Sequence, residues 1–401
     1  MMWLQSMYRR TALTVVLGLA ALAVVPALAS AAAVSTSGTV ITFTAGGNEF
    51  NNLTVTHPAT NTYLFNEASI STSESSADCT ATSGDVTCSG ASWTSVVVNL
   101  GNRDDTFTAT GVNDDPFTIS GDVGDDNITG SDANDVINGG DGNDTLTGGP
   151  GSDRMDGAAG NDTLSGGSGI DRAVYSGATS GITVTIDNTA NDTDGQAGTD
   201  NVQDTVESIT GTAFNDTITG SCFANTIAGD PGSANGSAGG NDTLSGDPTA
   251  GCTAASGSSD FFGGGEGNDS FNGDGTIDGA HFAGFDTVTY GFPYTGGGGI
   301  SVDLDDVADD NDGFGNTGDN VNGDIERVIG NSGADTINAT AADQAVSLFG
   351  RAGTDTLTDS PFGDFLNGEG GADTINCTNG GTDSYVIDGA DTVHGSCEIG
   401  T

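Results

Sequence analysis

Lysine is absent from all 401 residues of this chain, and its seven basic residues are all arginines. Against them stand 56 acidic residues, which give a formal net charge of -49 at pH 7. A chain without a basic patch has nothing to neutralise phosphates, so the sequence excludes nucleic acid as a partner. Aromatic residues are also scarce, at 6%. Such a chain stays disordered in water unless a cation becomes part of its fold.

A long apolar run occurs at the N-terminus. Arg9 and Arg10 precede TALTVVLGLAALAVV (11–25), and the small-residue stretch ALASAAA (27–33) follows Pro26. This order predicts a secretory signal peptide over residues 1–29, cleaved near Ala29. The alternative is a membrane anchor, for which the apolar run is short. The mature chain, with five arginines against 56 acidic residues, is then predicted to be secreted, extracellular and without a transmembrane segment.

Six cysteines lie beyond the predicted signal peptide, and an even number in an exported chain predicts disulfides. Six cysteines allow about fifteen pairings, and the sequence does not choose among them. Pairing of near neighbours is the favoured interpretation, which gives Cys79–Cys88, Cys222–Cys252 and Cys377–Cys397. Zinc is the weaker alternative, because no CxxC motif occurs.

From Gly121 the chain divides into six consecutive nonapeptides: GDVGDDNIT, GSDANDVIN, GGDGNDTLT, GGPGSDRMD, GAAGNDTLS and GGSGIDRAV. Position one is always glycine, position eight is always apolar, and position six is always aspartate. The six aspartates are Asp126, Asp135, Asp144, Asp153, Asp162 and Asp171. A period of nine matches neither a helix nor a simple strand, so something other than core packing sets it.

Each position of the nonapeptide has a physical role. Glycines at positions one, two and four allow positive φ, so six residues curl into a turn whose carbonyl groups converge. Carbonyl and carboxylate oxygens are the ligands that Ca²⁺ prefers, with about six to eight around one ion. The other three residues, such as TLT, form a minimal strand with one inward side chain. Two nonapeptides therefore make one flattened coil.

Stacked coils place each turn on the turn two nonapeptides later. The aspartates then sort onto two edges, with Asp126, Asp144 and Asp162 on one edge and Asp135, Asp153 and Asp171 on the other. Carboxylates about 5 Å apart repel by roughly 1 kcal/mol in water and by more inside a protein. Several Ca²⁺ ions between the coils reverse that repulsion, whereas the alternative, a metal-free solenoid of turn-forming residues, leaves it unexplained.

The pattern GGxGxDxUx, with U apolar, resembles the haemolysin-type calcium-binding repeat (RTX) family of secreted bacterial proteins. The resemblance implies an all-β fold, a parallel β-roll with calcium inside the turns. Degenerate copies continue along the chain. Their aspartates in the ligand position are Asp216, Asp242, Asp260, Asp269, Asp278, Asp335, Asp355, Asp364 and Asp373.

The remaining segments complete the predicted organisation. Strand-like segments over residues 34–120 predict an N-terminal β cap with imperfect first repeats, ahead of the tandem repeats at 121–175. The stretch 169–188 resembles 284–306, which predicts two acidic β-hairpin insertions at 176–210 and 291–328. Glu207 and Glu326 occupy equivalent positions near the ends of these two insertions, and a turn-capping role is favoured over a ligand role for both. Degenerate repeats with a disulfide insertion (211–290) and C-terminal repeats with a cap (329–401) complete the division.

No HExxH or GxSxG motif occurs, and no lysine is present to act as the base of a polysaccharide-cleaving β-helix. The sequence therefore predicts a non-enzymatic protein that binds calcium and folds outside the cell. The alternative is a calcium-dependent adhesin that binds a cell-surface glycan or the envelope, and a polysaccharide-modifying enzyme ranks below it. Glycan binding predicts exposed aromatics, for which the candidates are Tyr63, Phe65, Trp93, Tyr290 and Tyr294.

Overall fold

The structure is a computed structural model, and it describes residues 32–399 with internal gaps. The gaps are 38, 47–49, 60, 68–70, 73–77, 83, 91–92, 112–114, 197, 232–238, 247–258, 266, 274–275, 278–279, 282–284, 292–297, 306, 309 and 311–317. The predicted signal peptide lies outside the described residues. Within them every regular element is a β-strand, and none of the described segments forms a helix able to span a bilayer.

One long sheet of 17 strands runs along the whole molecule. Its only antiparallel pair among the described strands is the N-terminal hairpin, and the other pairs are parallel. In spatial order the strands are Ser71–Thr72, Ala33–Ser37, Val40–Thr44, Ser95–Asn99, Phe117–Val123, Val136–Asp141, Arg154–Ala159, Arg172–Val174, Ser208–Thr210, Thr226–Ala228, Phe261–Gly263, Thr287–Thr289, Arg327–Ile329, Ser347–Phe349, Phe365–Asn367, Ser384–Val386 and Glu398–Ile399.

The strands that follow one another along the chain mostly alternate between the long sheet and one of three shorter sheets. The N-terminal short sheet contains Cys79–Thr82, Asp85–Ser89, Thr62–Asn66, Asn52–Ala59, Thr106–Thr110, Asn127–Thr129, Thr145–Pro150, Thr163–Ser168 and Asn201–Val202. The middle short sheet contains Thr183–Thr185, Thr217–Thr219, Thr243–Ser245, Ser270–Asn272 and Asn320–Val321. The C-terminal short sheet contains Ser301–Asp303, Thr336–Asn338, Thr356–Thr358, Thr374–Cys377 and Thr392–Gly395. Two small pairs join Thr276–Ile277 to Ala280–His281 and Ala352–Gly353 to Gly370–Gly371.

Strand register explains the apolar residue at position eight. Ile137 lies beside Ile119 and Met155 in the long sheet, and Leu146 lies beside Ile128 in the N-terminal short sheet. Their side chains are fully or almost fully buried and belong to one continuous apolar core. Successive nonapeptides therefore alternate between two sheets, and each coil stacks on the coil 18 residues earlier. This confirms the predicted parallel β-roll.

The N-terminal residues extend the same solenoid with a larger core. Asn52–Ala59 pairs in parallel with Thr106–Thr110, and Val40–Thr44 pairs in parallel with Ser95–Asn99. Aromatic side chains fill the interior, and they include three of the candidates for glycan stacking, Tyr63, Phe65 and Trp93, while a fourth, Tyr290, is buried further along the solenoid. These four candidates therefore do not provide the exposed aromatic surface that glycan binding requires, because they pack in the core. Tyr294 lies outside the described residues.

The two insertions are more integrated in the solenoid than the sequence predicts. Thr183–Thr185 pairs in parallel with Thr217–Thr219, and Ser301–Asp303 pairs in parallel with Thr336–Asn338. Each strand starts a new short sheet and does not project as an arm. Among the described residues of the insertions, hairpin character is limited to isolated antiparallel bridges, such as the one between Asp192 and Asp200. The apolar alternation in ITVTID and ISVDLD thus serves the solenoid core.

Disulfides hold both ends of the molecule. Cys79 pairs with Cys88 across two antiparallel strands, and Cys377 pairs with Cys397 at the C-terminal end, which confirms two predicted pairings. Cys222 is also disulfide-bonded, whereas its predicted partner Cys252 lies outside the described residues.

Candidate metal centre

Each aspartate at position six lies immediately before a strand, and its carboxylate accepts a hydrogen bond from the preceding coil of the same edge. The N–H of Asp126 donates to Oδ1 of Asp144 at 2.8 Å, and Asp144 donates to Asp162 at 2.7 Å. On the opposite edge Asp135 donates to Asp153 and Asp153 donates to Asp171, both at 2.7 Å. The predicted sorting of the aspartates onto two edges is therefore confirmed, as two ladders of N–H to carboxylate bonds.

The ladders continue through residues that the sequence pattern did not identify as ligands. Their added members are Asp105, Asp200, Asp286, Asp319, Asp383, Asp391, Glu207 and Glu326, each accepting an N–H from the preceding coil. Asp278 lies outside the described residues, and the ladder place after Asp260 belongs to Asp286. Insertions change the spacing between coils, so a search at nine-residue intervals misses these positions. A search for an acid directly before each short strand finds them.

The glycine at position one is required by a close approach. A β-carbon added at Gly139 would lie within 3.0 Å of Oδ2 of Asp144 and of the carbonyl oxygen of Gly157 in the next coil. The same pair of oxygens surrounds Gly148, where they come from Asp153 and Gly166. Only glycine leaves this space free, and the space is lined by a carboxylate and a carbonyl oxygen, the donor set of a Ca²⁺ site.

Seven six-residue turns that begin with glycine, which we call open turns, have a buried aspartate Oδ2 that accepts no hydrogen bond from the described part of the chain, and Asp105, Asp194 and Asp242 share this feature outside such turns. The aspartates of the open turns are Asp126, Asp144, Asp153, Asp162, Asp171, Asp355 and Asp373. The second residue of every open turn has a positive φ, between 62° and 116°. These second residues are Asp122, Gly140, Gly149, Ala158, Gly167, Arg351 and Glu369. A buried carboxylate oxygen without a donor is costly, so an open turn calls for a cation.

Five other turns, which we call closed turns, supply their own donors. Their second and sixth residues are Ser131 and Asp135, Thr212 and Asp216, Ser221 and Asn225, Asn331 and Asp335, and Ser360 and Asp364. The N–H of the second residue donates to a side-chain oxygen of the sixth at 2.5 to 2.9 Å. The side chain of the second residue accepts the N–H of the fourth at 2.6 to 3.2 Å.

Burial raises the pKa of the ladder carboxyls in the metal-free protein. Desolvation is the largest cause, and it raises the pKa of Asp126 and of Asp153 to about 7 and that of Asp162 to about 8, with neighbouring ladder aspartates adding to the rise. The same cause raises the pKa of Asp242, whose Oδ2 also lacks a donor among the described residues, to about 9. Without a cation, these carboxyls therefore hold protons near neutral pH.

A family model described as the RTX calcium-binding nonapeptide repeat (4 copies) matches residues 118–146, 139–173, 204–233, 322–343 and 349–382. The chain belongs to the RTX repeat family. RTX repeats bind calcium, and the oxygen-lined glycine spaces and donor-free Oδ2 atoms fit that ion. The matched segments contain all seven open turns. No curated protein matches the chain.

Two further carboxylate groups contain residues outside position six of the repeats. Asp359, Asp364 and Asp383 are buried and place one oxygen each within 4.8 Å of one another. Asp194, in the first insertion, is also fully buried, and its Oδ1 accepts the N–H groups of Gln196 and Gly198. The repeat pattern predicts neither Asp359, Asp383 nor Asp194, because these residues stand outside position six of the nonapeptides it recognises.

Proposed function

We propose that this protein is secreted and folds on binding Ca²⁺ outside the cell, where it has a structural or surface-binding role. The observation that carries the proposal is the donor-free Oδ2 of the open turns, which at Gly121, Gly139, Gly148 and Gly166 lies with a carbonyl oxygen of the next coil around the glycine. When bound, calcium supplies the positive charge that two adjacent buried carboxylates lack. The residues that would hold it are the open-turn aspartates together with the glycine carbonyls at position one.

The charge of the chain supports folding after export. A net charge of -49 repels itself in the cytoplasm, where calcium is scarce, and keeps the chain extended. Outside the cell, at roughly millimolar calcium, ligation and folding become one reaction because the site does not exist in the unfolded chain. The predicted signal peptide over residues 1–29 fits this order of events.

The test is far-UV circular dichroism of residues 30–401 during a calcium titration, with Mg²⁺ as control. We expect a cooperative gain of β signal with Ca²⁺ alone, because Mg²⁺ demands a tighter octahedral site and keeps its waters. The variant Asp144→Asn should raise the calcium midpoint. The matched variant Asp132→Asn removes the same charge from an exposed position and should leave the midpoint unchanged. A chelator spectrum that is already β-rich and insensitive to calcium would contradict the proposal.

Binding of an acidic glycan is a second candidate function, favoured by two arginines on the long sheet. Arg154 and Arg172 are direct neighbours on parallel strands, and both are exposed. Strands lie about 4.8 Å apart, so two positive side chains stand side by side, with Arg172 donating to Ser208 at 3.2 Å and Asp156 close enough to Arg154 for an electrostatic interaction. They line a shallow depression with Ser208 and the exposed apolar Ile170.

A binding assay with a uronic-acid polysaccharide, and with a neutral one as control, tests this second function. In saturating calcium we expect the double variant Arg154→Ala and Arg172→Ala to weaken binding of the acidic polymer by about tenfold or more. The control variant Arg351→Ala removes one arginine elsewhere in the repeats and should bind as the parent does. Equal binding by all three proteins would exclude the arginine pair as a glycan site.

A further inference from the structure

The position of a turn within its ladder predicts whether it is open or closed. Four closed turns begin a ladder, since the N–H that their aspartate accepts comes from an apolar residue in the preceding coil. The donor and acceptor pairs are Phe117 and Asp135, Ile182 and Asp216, Ile300 and Asp335, and Val346 and Asp364, at 2.7 to 2.9 Å.

Open turns follow a different rule. The N–H that each open-turn aspartate accepts comes from another aspartate in the preceding coil. Asp153, for example, follows Asp135, and Asp355 follows Asp335. An open turn therefore has a second carboxylate in the coil before it, and these four ladder-starting closed turns do not.

We propose that the closed turns hold no ion of their own and that ions bind at the open turns that follow them. This inference rests on the proposed function and deepens it, because it assigns the ladder positions that hold calcium. It separates the predicted ligands Asp135, Asp216, Asp335 and Asp364 from the open-turn aspartates. The serine, threonine or asparagine at the second position takes the place of the ion.

The charge around a ladder's first carboxylate explains why hydrogen bonds from the second residue take the place of an ion there. A divalent ion between two coils is neutralised by one carboxylate from each, so a first carboxylate with only an apolar residue before it offers half of that charge. Hydrogen bonds from the second residue satisfy the carboxylate without a cation. In the closed turn of Asp364, Ser360 donates its N–H at 2.7 Å and its hydroxyl at 2.8 Å.

Asn225 independently supports a metal-free closed turn. It takes the place of the aspartate, and its Oδ1 accepts the N–H of Ser221 at 2.6 Å. An amide brings no negative charge to a cation, yet this turn keeps the closed geometry and its own N–H still donates to Asp260 at 2.6 Å. The closed turn thus tolerates loss of the carboxylate charge, as a turn that holds no ion should.

The test counts bound calcium by equilibrium dialysis and elemental analysis for two matched pairs of variants of the secreted chain. We expect Ser131→Ala and Asn331→Ala, in the closed turns of Asp135 and Asp335, to keep the parent's number of ions, because both leave in place the carboxylate that the next site shares. The ladder neighbours of those turns, tested as Asp153→Asn and Asp355→Asn, should each lose about one ion or more, because each open turn contributes to a site. Asn225→Asp, which restores the consensus residue with little risk to folding, should gain no ion.

The outcomes separate this inference from the proposed function. Equal ion losses within each pair, or an added ion in Asn225→Asp, would overturn the metal-independent closed turn while calcium binding stands. Unchanged ion numbers in both open-turn variants would overturn the ligand assignment on which both proposals rest. If a closed-turn variant does not fold, the Asn225→Asp count decides on its own.

Discussion

The N-terminal region, residues 32–111, and the tandem repeats, residues 121–173, share one solenoid but differ in what fills it. The N-terminal region buries large side chains such as Phe43, Tyr63 and Phe65. Each tandem repeat buries one apolar side chain at position eight and one aspartate at position six. The same parallel stacking is therefore built on an apolar core at one end and on carboxylates in the middle.

This difference shows that the repeats cannot be held by apolar burial alone. One buried aliphatic side chain does not offset the conformational entropy lost by nine ordered residues, and a buried carboxylate adds a desolvation cost. The N-terminal region has the aromatic area to fold with less help, together with the Cys79–Cys88 disulfide. We expect the two regions to respond differently to any change that acts on the carboxylates.

Removal of calcium should produce the largest difference between the regions. Trp93 is buried in the N-terminal region, and Trp3, the other tryptophan, belongs to the predicted signal peptide. In chelator we expect most of the far-UV β signal to be lost while the emission of Trp93 stays that of a buried indole, because the aromatic core needs no ion. Parallel calcium titrations followed by circular dichroism and by Trp93 fluorescence measure this. Coincident transitions would show that the two regions fold as one unit.

Protonation of the buried carboxyls at lower pH should partly substitute for calcium in stabilising the repeats. Burial raises the pKa of Asp126, Asp153 and Asp162 in the metal-free fold, so the folded repeats bind protons more tightly than the unfolded chain does. Stability from protonation is then present at low pH and is lost as pH rises through about 7 to 8. In chelator we expect more β signal at about pH 5 than at about pH 8.5, and little pH dependence of Trp93. A β signal that instead falls on acidification would contradict protonation of the ladder.

Substitutions in the apolar core should distinguish the N-terminal region from the tandem repeats by a smaller effect than calcium removal or a change of pH. Phe65→Ala and Leu146→Ala each remove a fully buried side chain, at an expected cost of about 3–5 and 2–5 kcal/mol of unfolding free energy respectively. Phe65→Ala should lower the urea midpoint of the Trp93 transition both with calcium and in chelator. Leu146→Ala should lower only the midpoint of the β signal in calcium, since the repeats are unfolded without the ion. Equal effects on both transitions would mean a shared cooperative unit.

The tandem repeats were predictable because their period is uninterrupted. The invariant glycine and aspartate place Asp126 through Asp171 on two edges, and the structure confirms that arrangement. Beyond residue 175 the insertions change the spacing, so the ladder members Asp286 and Asp319 have no nine-residue signature. The sequence named Tyr63, Phe65 and Trp93 as candidates for an exposed glycan surface, but it could not show that they pack in the core, because their burial depends on which strands pair in three dimensions.

The distinction between open and closed turns depends on backbone geometry that the consensus conceals. A second residue with positive φ, as at Gly140 or Arg351, leaves the carboxylate without a donor, whereas serine at position 131 turns its N–H toward Asp135. Arginine is not a residue that signals positive φ in a sequence. The signal that was available is Ser, Thr or Asn at position two, which favours side-chain to backbone bonds in turns.

The smallest expected effect distinguishes the closed turn from the ion sites. Ser131→Ala removes a hydroxyl that donates to Asp135 Oδ1 at 3.0 Å and accepts the N–H of Ala133 at 3.1 Å. In saturating calcium we expect a loss of about 1–2 kcal/mol of unfolding free energy by urea denaturation, because two buried polar groups lose a partner. The control Ser168→Ala, at an exposed serine, should cost less than about 0.5 kcal/mol. Since the hydroxyl acts in place of an ion, Ser131→Ala should keep the parent's number of bound ions, and a lower number would mean that this turn holds calcium after all.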